Sequence, residues 1–166
     1  MMLDVFSHFP TFQRFFVDVV LLVYMVQLQS DCRQFVVSHA GGSLHRVCIV
    51  DETGTVRASY GRRRRTSQLQ AAAPGGGGGE LELSEPRDVA VDSGGRLLVA
   101  DKDHDRVVVL DAALTHARVL LLPAVDGGLR GPWSLCLDEE RDRCYVGEWD
   151  GGRVLVYDHI SNVALR

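Results

Sequence analysis

The sequence predicts an all-β fold, and three observations carry that expectation. Apolar residues come in runs of four to five, broken by Gly, Asp and Pro, which suits strands better than helices. The runs recur in tandem at a period of 46 to 47 residues. The composition is that of an ordinary folded domain, 46% hydrophobic and 24% charged over 166 residues, which excludes a collagen-like or wholly disordered chain.

Residues 1–24 form an apolar extension, irregular or helical. Phe6, Phe9, Phe12 and Phe15 recur every third residue, which suggests one face of a helix starting after Pro10, whereas the valines that follow favour strand. The apolar run at 15–28 is shorter than a membrane span and contains Asp18. It lacks a basic start and a small-residue cleavage site, so a signal or anchor is kept only as the alternative. Cys32, Cys48, Cys136 and Cys144 show no Cys-x-x-Cys pair, so buried free thiols and a cytoplasmic setting are expected.

Two later segments define the repeat. Residues 86–111 read Pro-Arg-Asp-Val-Ala-Val-Asp-Ser-Gly-Gly, then Leu97 to Asp101, then Arg106 to Asp111. In residues 132–158, Pro132 and Asp138 answer Pro86 and Asp92 at offset 46. Glu148, Arg153 and Asp158 answer Asp101, Arg106 and Asp111 at offset 47. A degenerate copy occupies 25–61, where Phe35 to His39 and Arg46 to Asp51 align with the second and third runs. Four short antiparallel strands recurring at this period describe the blade of a β-propeller. The expected organisation is a degenerate blade 1 at 25–61, an insertion at 62–80, blade 2 at 81–123 and an incomplete blade 3 at 124–166.

A closed six-bladed ring takes about 250 residues at this period, so about three blades make a partial propeller. A fragment is the expectation. Pairing of two half-rings through two open apolar ends is the sharper alternative.

The insertion holds Arg62, Arg63, Arg64 and Arg65 and five consecutive glycines, Gly75 to Gly79. Glycine runs lose too much entropy on ordering to pack, so a flexible loop is expected, with the arginines a candidate basic patch. The formal charge is −4, and −8 without those four arginines, which disfavours nonspecific RNA binding.

Asp101 and Arg106, like Glu148 and Arg153, bracket a four-residue hairpin loop, so each pair should face across strands two and three. Both are read as structural pairs that fix register. The first copy has His39 and Arg46 at these positions and lacks the acid. Trp149 in its polar loop, with Lys102 and His104 in the equivalent loop, forms the candidate binding surface. No Ser/His/Asp order, Walker loop or dinucleotide fingerprint appears, and no catalytic residue, metal ligand set or cofactor is assigned.

The pattern Pro-x-x-Val-Ala-Val-Asp-x-x-Gly, Leu-x-Val-Ala-Asp, Arg-Val-x-Val-Leu-Asp at 86–111 resembles the NHL repeat. Residues 132–158 match it with Gly147 and Glu148 in place of Ala and Asp. The stretch from Phe35 to Gly61 is similar to NHL modules of animal tripartite-motif-like proteins. The resemblance implies a six-bladed, usually non-catalytic propeller that binds protein or RNA; the acidic charge balance makes protein partners the expectation and RNA the less favoured ligand, and no membrane partner is expected. In a full-length relative it implies the substrate-recognition part of a ubiquitin ligase. The alternative is a metal-dependent propeller hydrolase or lyase of the lactonase or amidating-lyase type.

Overall fold

The computed structural model describes residues 22–29, 32–41, 44–61, 81–120 and 128–160. Three antiparallel sheets, each a simple meander, account for nearly all of them. The first sheet orders β1 (Leu22–Gln29), β2 (Cys32–Gly41), β3 (Leu44–Asp51) and β4 (Val56–Tyr60). The second orders β5 (Pro86–Val91), β6 (Leu97–Asp101), β7 (Arg106–Leu110) and β8 (Ala117–Val119). The third contains β9 (Pro132–Asp138), β10 (Arg143–Glu148) and β11 (Val154–Asp158). These are blades 1, 2 and 3 of an all-β, partial propeller. The described residues hold no α-helix, only a 3-10 turn at Lys102–His104, and no helix among them is long and apolar enough to cross a membrane.

Turn chemistry ends the strands. Asp92 accepts the backbone N–H of Arg96 at 2.7 Å and its Nε at 2.5 Å, closing the β5–β6 hairpin with Gly95 at φ +80°. Asp51 and Asp111 do the equivalent work between third and fourth strands. Asp51 takes the Thr53 N–H and hydroxyl and the Thr55 N–H. Asp111 takes those of Thr115, with the His116 N–H. The Thr53 hydroxyl leads in holding Asp51 near a pKa of about 2. Burial works against the Asp111 charge, yet the bonds from Thr115 and His116 prevail and depress its pKa.

The blades stack face to face. Val36, Val47, Ile49 and Tyr60 of blade 1 meet Val89, Leu97, Val99, Val108 and Leu110 of blade 2. The opposite face of blade 2, Leu98, Val107 and Val109, meets Cys144, Val146, Leu155 and Tyr157 of blade 3. Burying each such side chain contributes about 1.5–3 kcal/mol. Side-chain hooks cross the same seams. The Glu85 N–H donates to His45 Nδ1 at 2.9 Å, and the Gly131 N–H donates to Asp105 Oδ1 at 2.6 Å. Asp88 accepts the Leu135 N–H at 2.8 Å.

Several expectations are adjusted. Strands buried on both faces occur in blade 2, where all five residues of β6 are buried. Blade 3 instead alternates, because one of its faces meets no other blade among the described residues: β11 is exposed at Val154, Val156 and Asp158. For the same reason Cys136 is exposed, while Cys48 and Cys144 are buried free thiols. The first strand begins at Leu22, ahead of the boundary placed at residue 25. On the face of blade 1 turned away from blade 2, Val37, Cys48 and Val50 are buried. Residues 1–21, the arginines at 62–65 and the expected last strand of blade 3 lie outside the described residues.

Candidate functional site

The loops joining second to third strands, with the segments that lead into each first strand, share one end of the blades. All the candidate residues with described side chains lie there. Asp101 and Arg106 pair directly in the β6–β7 register, with Arg106 Nε 2.8 Å from Asp101 Oδ2. The other carboxylate oxygen accepts the Ser84 N–H at 2.6 Å, and Arg106 reaches the Glu82 carbonyl. In blade 3, Glu148 accepts Arg153 Nε at 2.5 Å and the Arg130 N–H at 2.7 Å, while Arg153 donates to the Gly128 carbonyl at 2.7 Å. Ser84 and Arg130, like Glu82 and Gly128, are repeat-equivalent at offset 46. The two pairs are therefore one device used twice: acid and arginine clamp the hairpin onto the backbone that feeds the same blade. The Arg153 bond holds the Glu148 carboxyl below its usual range.

Blade 1 carries the incomplete version. His39 lies opposite Arg46, and neither His39 Nδ1 nor Arg46 Nε makes a hydrogen bond. Burial, with Arg46 adding to it, lowers the His39 pKa to about 4, so the imidazole is neutral at pH 7.

His104 is absorbed by the clamp of blade 2, its Nδ1 2.9 Å from Asp101 Oδ2. Lys102 binds Glu85 at 3.1 Å and Asp103 at 3.2 Å, and the Glu85 bond raises its pKa. Glu85 in turn accepts Arg87 at 2.6 Å. Burial works against the Glu85 charge, but Arg87 and Lys102 together hold its carboxyl down.

Trp149 is 63% exposed. It stacks on Trp133 with ring centroids 4.5 Å apart and 28° between planes. The Arg87 guanidinium lies over the Trp133 ring, 4.4 Å from its centroid. The result is a layered Arg87–Trp133–Trp149 stack across the seam between blades 2 and 3, backed by the Glu85–Lys102 pair. The two indoles border a shallow groove that also touches Ser134, Gly147 and Val154.

The sequence singled out Trp149 and Lys102 as candidates and did not single out Trp133, Arg87 or Glu85. One signal was available. Arg87 and Trp133 both follow the proline that opens their blade, at offset 46, so neighbouring blades must present them side by side. Glu85 has a left-handed backbone, φ 53°, where the equivalent residue is Gly131 at φ 52°. A non-glycine residue held there carries local strain, which concentrates at functional positions. Among the described residues no three His, Cys, Asp or Glu side chains stand together as a metal site.

Arrangement and repeat together define a β-propeller segment, and the NHL repeat family matches it at residues 83–110. No curated protein matches the sequence. A structure of a protein of unknown function from Bacteroides caccae is 17% identical, covers 76% of this chain and 42% of its own, and superposes with a TM-score of 0.53. An auxiliary nutrient binding protein from Bacteroides thetaiotaomicron is 13% identical, covers 86% and 39%, and has a TM-score of 0.56. The chain thus spans about two-fifths of the length of these structures. At such identities the likeness is one of fold.

Proposed function

We propose that the chain is a non-enzymatic, NHL-type interaction module that binds a protein partner at the face carrying Arg87, Trp133 and Trp149. The observation that carries this reading is the exposed Trp149 ring stacked on a second tryptophan already engaged by an arginine. Tryptophan and arginine are enriched in binding hot spots, and tryptophan buries a large area with only two side-chain torsions to fix. Stacking fixes the Trp149 ring before a partner arrives, which lowers the ordering cost of association. The acidic balance of the chain, −4 in all, favours a protein over an RNA ligand. In a longer tripartite-motif-like protein, the same face would select the substrate of a ubiquitin ligase.

The test compares proteins captured by the wild-type chain, by Trp149→Ala and by Lys102→Ala, with folding checked by circular dichroism. The expected result is a set of partners lost with Trp149→Ala while the fold is retained. Partners held equally by wild type and Trp149→Ala would refute the surface. Tight RNA binding at physiological salt in a filter titration would refute the preference for protein.

A further inference from the structure

Charge gathers beside the tryptophan stack at the seam between blades 2 and 3. Gly131 is held from both blades. Its N–H donates to Asp105 Oδ1 of blade 2 at 2.6 Å, and its carbonyl accepts the Trp149 N–H of blade 3 at 2.9 Å. Asp150 closes in from a third side, its Oδ2 within 2.6 Å of where a Cβ on that glycine would stand. Two carboxylates from neighbouring blades and the root of the exposed indole therefore meet at one residue. Both aspartates are exposed, and among the described residues no cation pairs with either. The nearby cations are committed to other acids: Lys102 and Arg87 to Glu85, Arg106 to Asp101, Arg153 to Glu148. Arg130, exposed next to Gly131 in the chain, sets one positive charge against the two negative ones.

Two further observations bear on what this rim accepts. Openness belongs to the loop itself: in blade 2, with blade 3 stacked behind it, the loop is still exposed at Asp103, His104 and Asp105. Both loops also keep an aspartate at the same place, Asp103 and Asp150 at offset 47. The second observation is an internal precedent. One end of the indole stack already carries a guanidinium, Arg87 at 4.4 Å from the Trp133 centroid. Indole faces attract cations, and arginine adds a planar group that stacks and bonds carboxylates in pairs. Trp149, at the other end of the stack, offers the same chemistry with its ring exposed.

We propose that the protein partner engages this end through a basic, arginine-bearing segment, a statement that rests on the reading of the face as a partner surface and adds the partner's chemistry. Guanidinium groups of the segment bind the Asp105 and Asp150 carboxylates and lie against the Trp149 ring. The same carboxylates repel an acidic segment, and like charge brought together is a strong source of discrimination. Arginine is preferred to lysine because only a planar group both stacks on indole and forks onto a carboxylate.

The chain has two tryptophans, both in this stack, so indole fluorescence reads this face alone. The probe is a capped Gly-Arg-Gly-Arg-Gly peptide titrated into the full chain at low salt. A saturable change is expected, weakening as salt rises. It should be weaker with lysines in place of the arginines and absent with citrullines, which keep the shape and lose the charge. Asp105→Asn with Asp150→Asn should weaken binding about tenfold. Asparagine at 105 still accepts the Gly131 N–H, so the circular dichroism should not change. No saturation below about 5 mM, equal binding of the citrulline peptide, or indifference to the double substitution would each overturn the proposal. Binding that appears only after Arg62 to Arg65 are replaced by glutamine would assign the rim to this chain's own arginines and overturn it too. If the peptide fails while Trp149→Ala still costs the chain its partners, the basic segment is refuted and the partner surface stands; partners indifferent to Trp149→Ala would remove the surface itself.

Discussion

Replacing Asp101 with alanine should be among the most damaging single changes in blade 2. The carboxylate is 0% exposed and serves three donors: the Ser84 N–H at 2.6 Å, Arg106 Nε at 2.8 Å and His104 Nδ1 at 2.9 Å. Removing it strands the Ser84 N–H, a loss of about 1–3 kcal/mol for a buried unsatisfied group. It also leaves Arg106 without its anion, and breaking a buried pair from one side costs about 3–5 kcal/mol. These figures describe overlapping consequences of one deletion, so they are not summed. Arg106 is 21% exposed and recovers some hydration, which sets the expectation at the lower end, about 3 kcal/mol. For a domain of this size that is a fall in Tm of roughly 6–12 °C. Asp101→Asn keeps an acceptor for Ser84 and should lose about half as much. Urea unfolding followed by far-ultraviolet circular dichroism measures both variants. A loss below about 1 kcal/mol for Asp101→Ala, the scale of a surface ion pair, would refute the clamp.

The blade 1 clamp should respond in the opposite direction: His39→Asp gives Arg46 the missing acid and should raise stability by about 1 kcal/mol, read by the same urea titration. In the wild type the His39 pKa is about 4 when folded and about 6.5 when unfolded. The unfolded chain therefore binds the proton first, and His39 makes stability fall as pH drops from 6.5 toward 4; His39→Asp should lack that slope. Asp51 acts at lower pH, since its folded pKa near 2 lies below the unfolded value near 4. Its contribution is complete above the unfolded value and is lost as pH falls toward 2, which carbon NMR of the carboxyl will follow. Gly61→Ala should destabilise by about 2–3 kcal/mol in thermal unfolding, because φ is +103° and a Cβ would press on the His45 carbonyl and the Arg46 Cα.

The repeat made much of this legible before any coordinates. A hairpin loop of fixed length forces residues five apart into register, so Asp101 and Arg106 could be paired from spacing alone. The Asp92-Ser93-Gly94-Gly95 turn was equally plain, because its chemistry is local. What spacing does not convey is which faces meet. Cys136 sits in a run as apolar as that of Cys48, yet one is exposed and the other buried. The seam stack was hidden for the same reason. Arg87 and Trp133 are 46 residues apart in sequence, and each looks like an ordinary strand position until neighbouring blades are set side by side. Glu85 gave no signal either, since a left-handed backbone at a glutamate is imposed by its surroundings.

Comparison of equivalent positions separates scaffold from function. Asp101 and Glu148, with Arg106 and Arg153, keep the same chemistry and make the same bonds, and Pro86 and Pro132 hold the same register opposite the acid, as expected of parts that both blades need. Four other positions differ: Glu85 and Gly131, Arg87 and Trp133, Lys102 and Trp149, Asp105 and Gly152. All four pairs lie at one end of the blades. Backbone geometry is retained at two of them, with Glu85 and Gly131 left-handed, and Asp105 and Gly152 left-handed. The fold thus constrains the chain there and leaves the side chain open. In blade 2 Glu85 binds Arg87 and Lys102 while Asp105 accepts the Gly131 N–H, and blade 3 fills those places with two tryptophans and two glycines. Gly152 has no side chain where Asp105 of blade 2 accepts a neighbour's N–H, and the tryptophans present a stacked ring. Variation of that kind is not required by folding, since the other blade folds without it. Lys102→Trp should consequently be tolerated by the fold, whereas exchanging Asp101 for Trp should not.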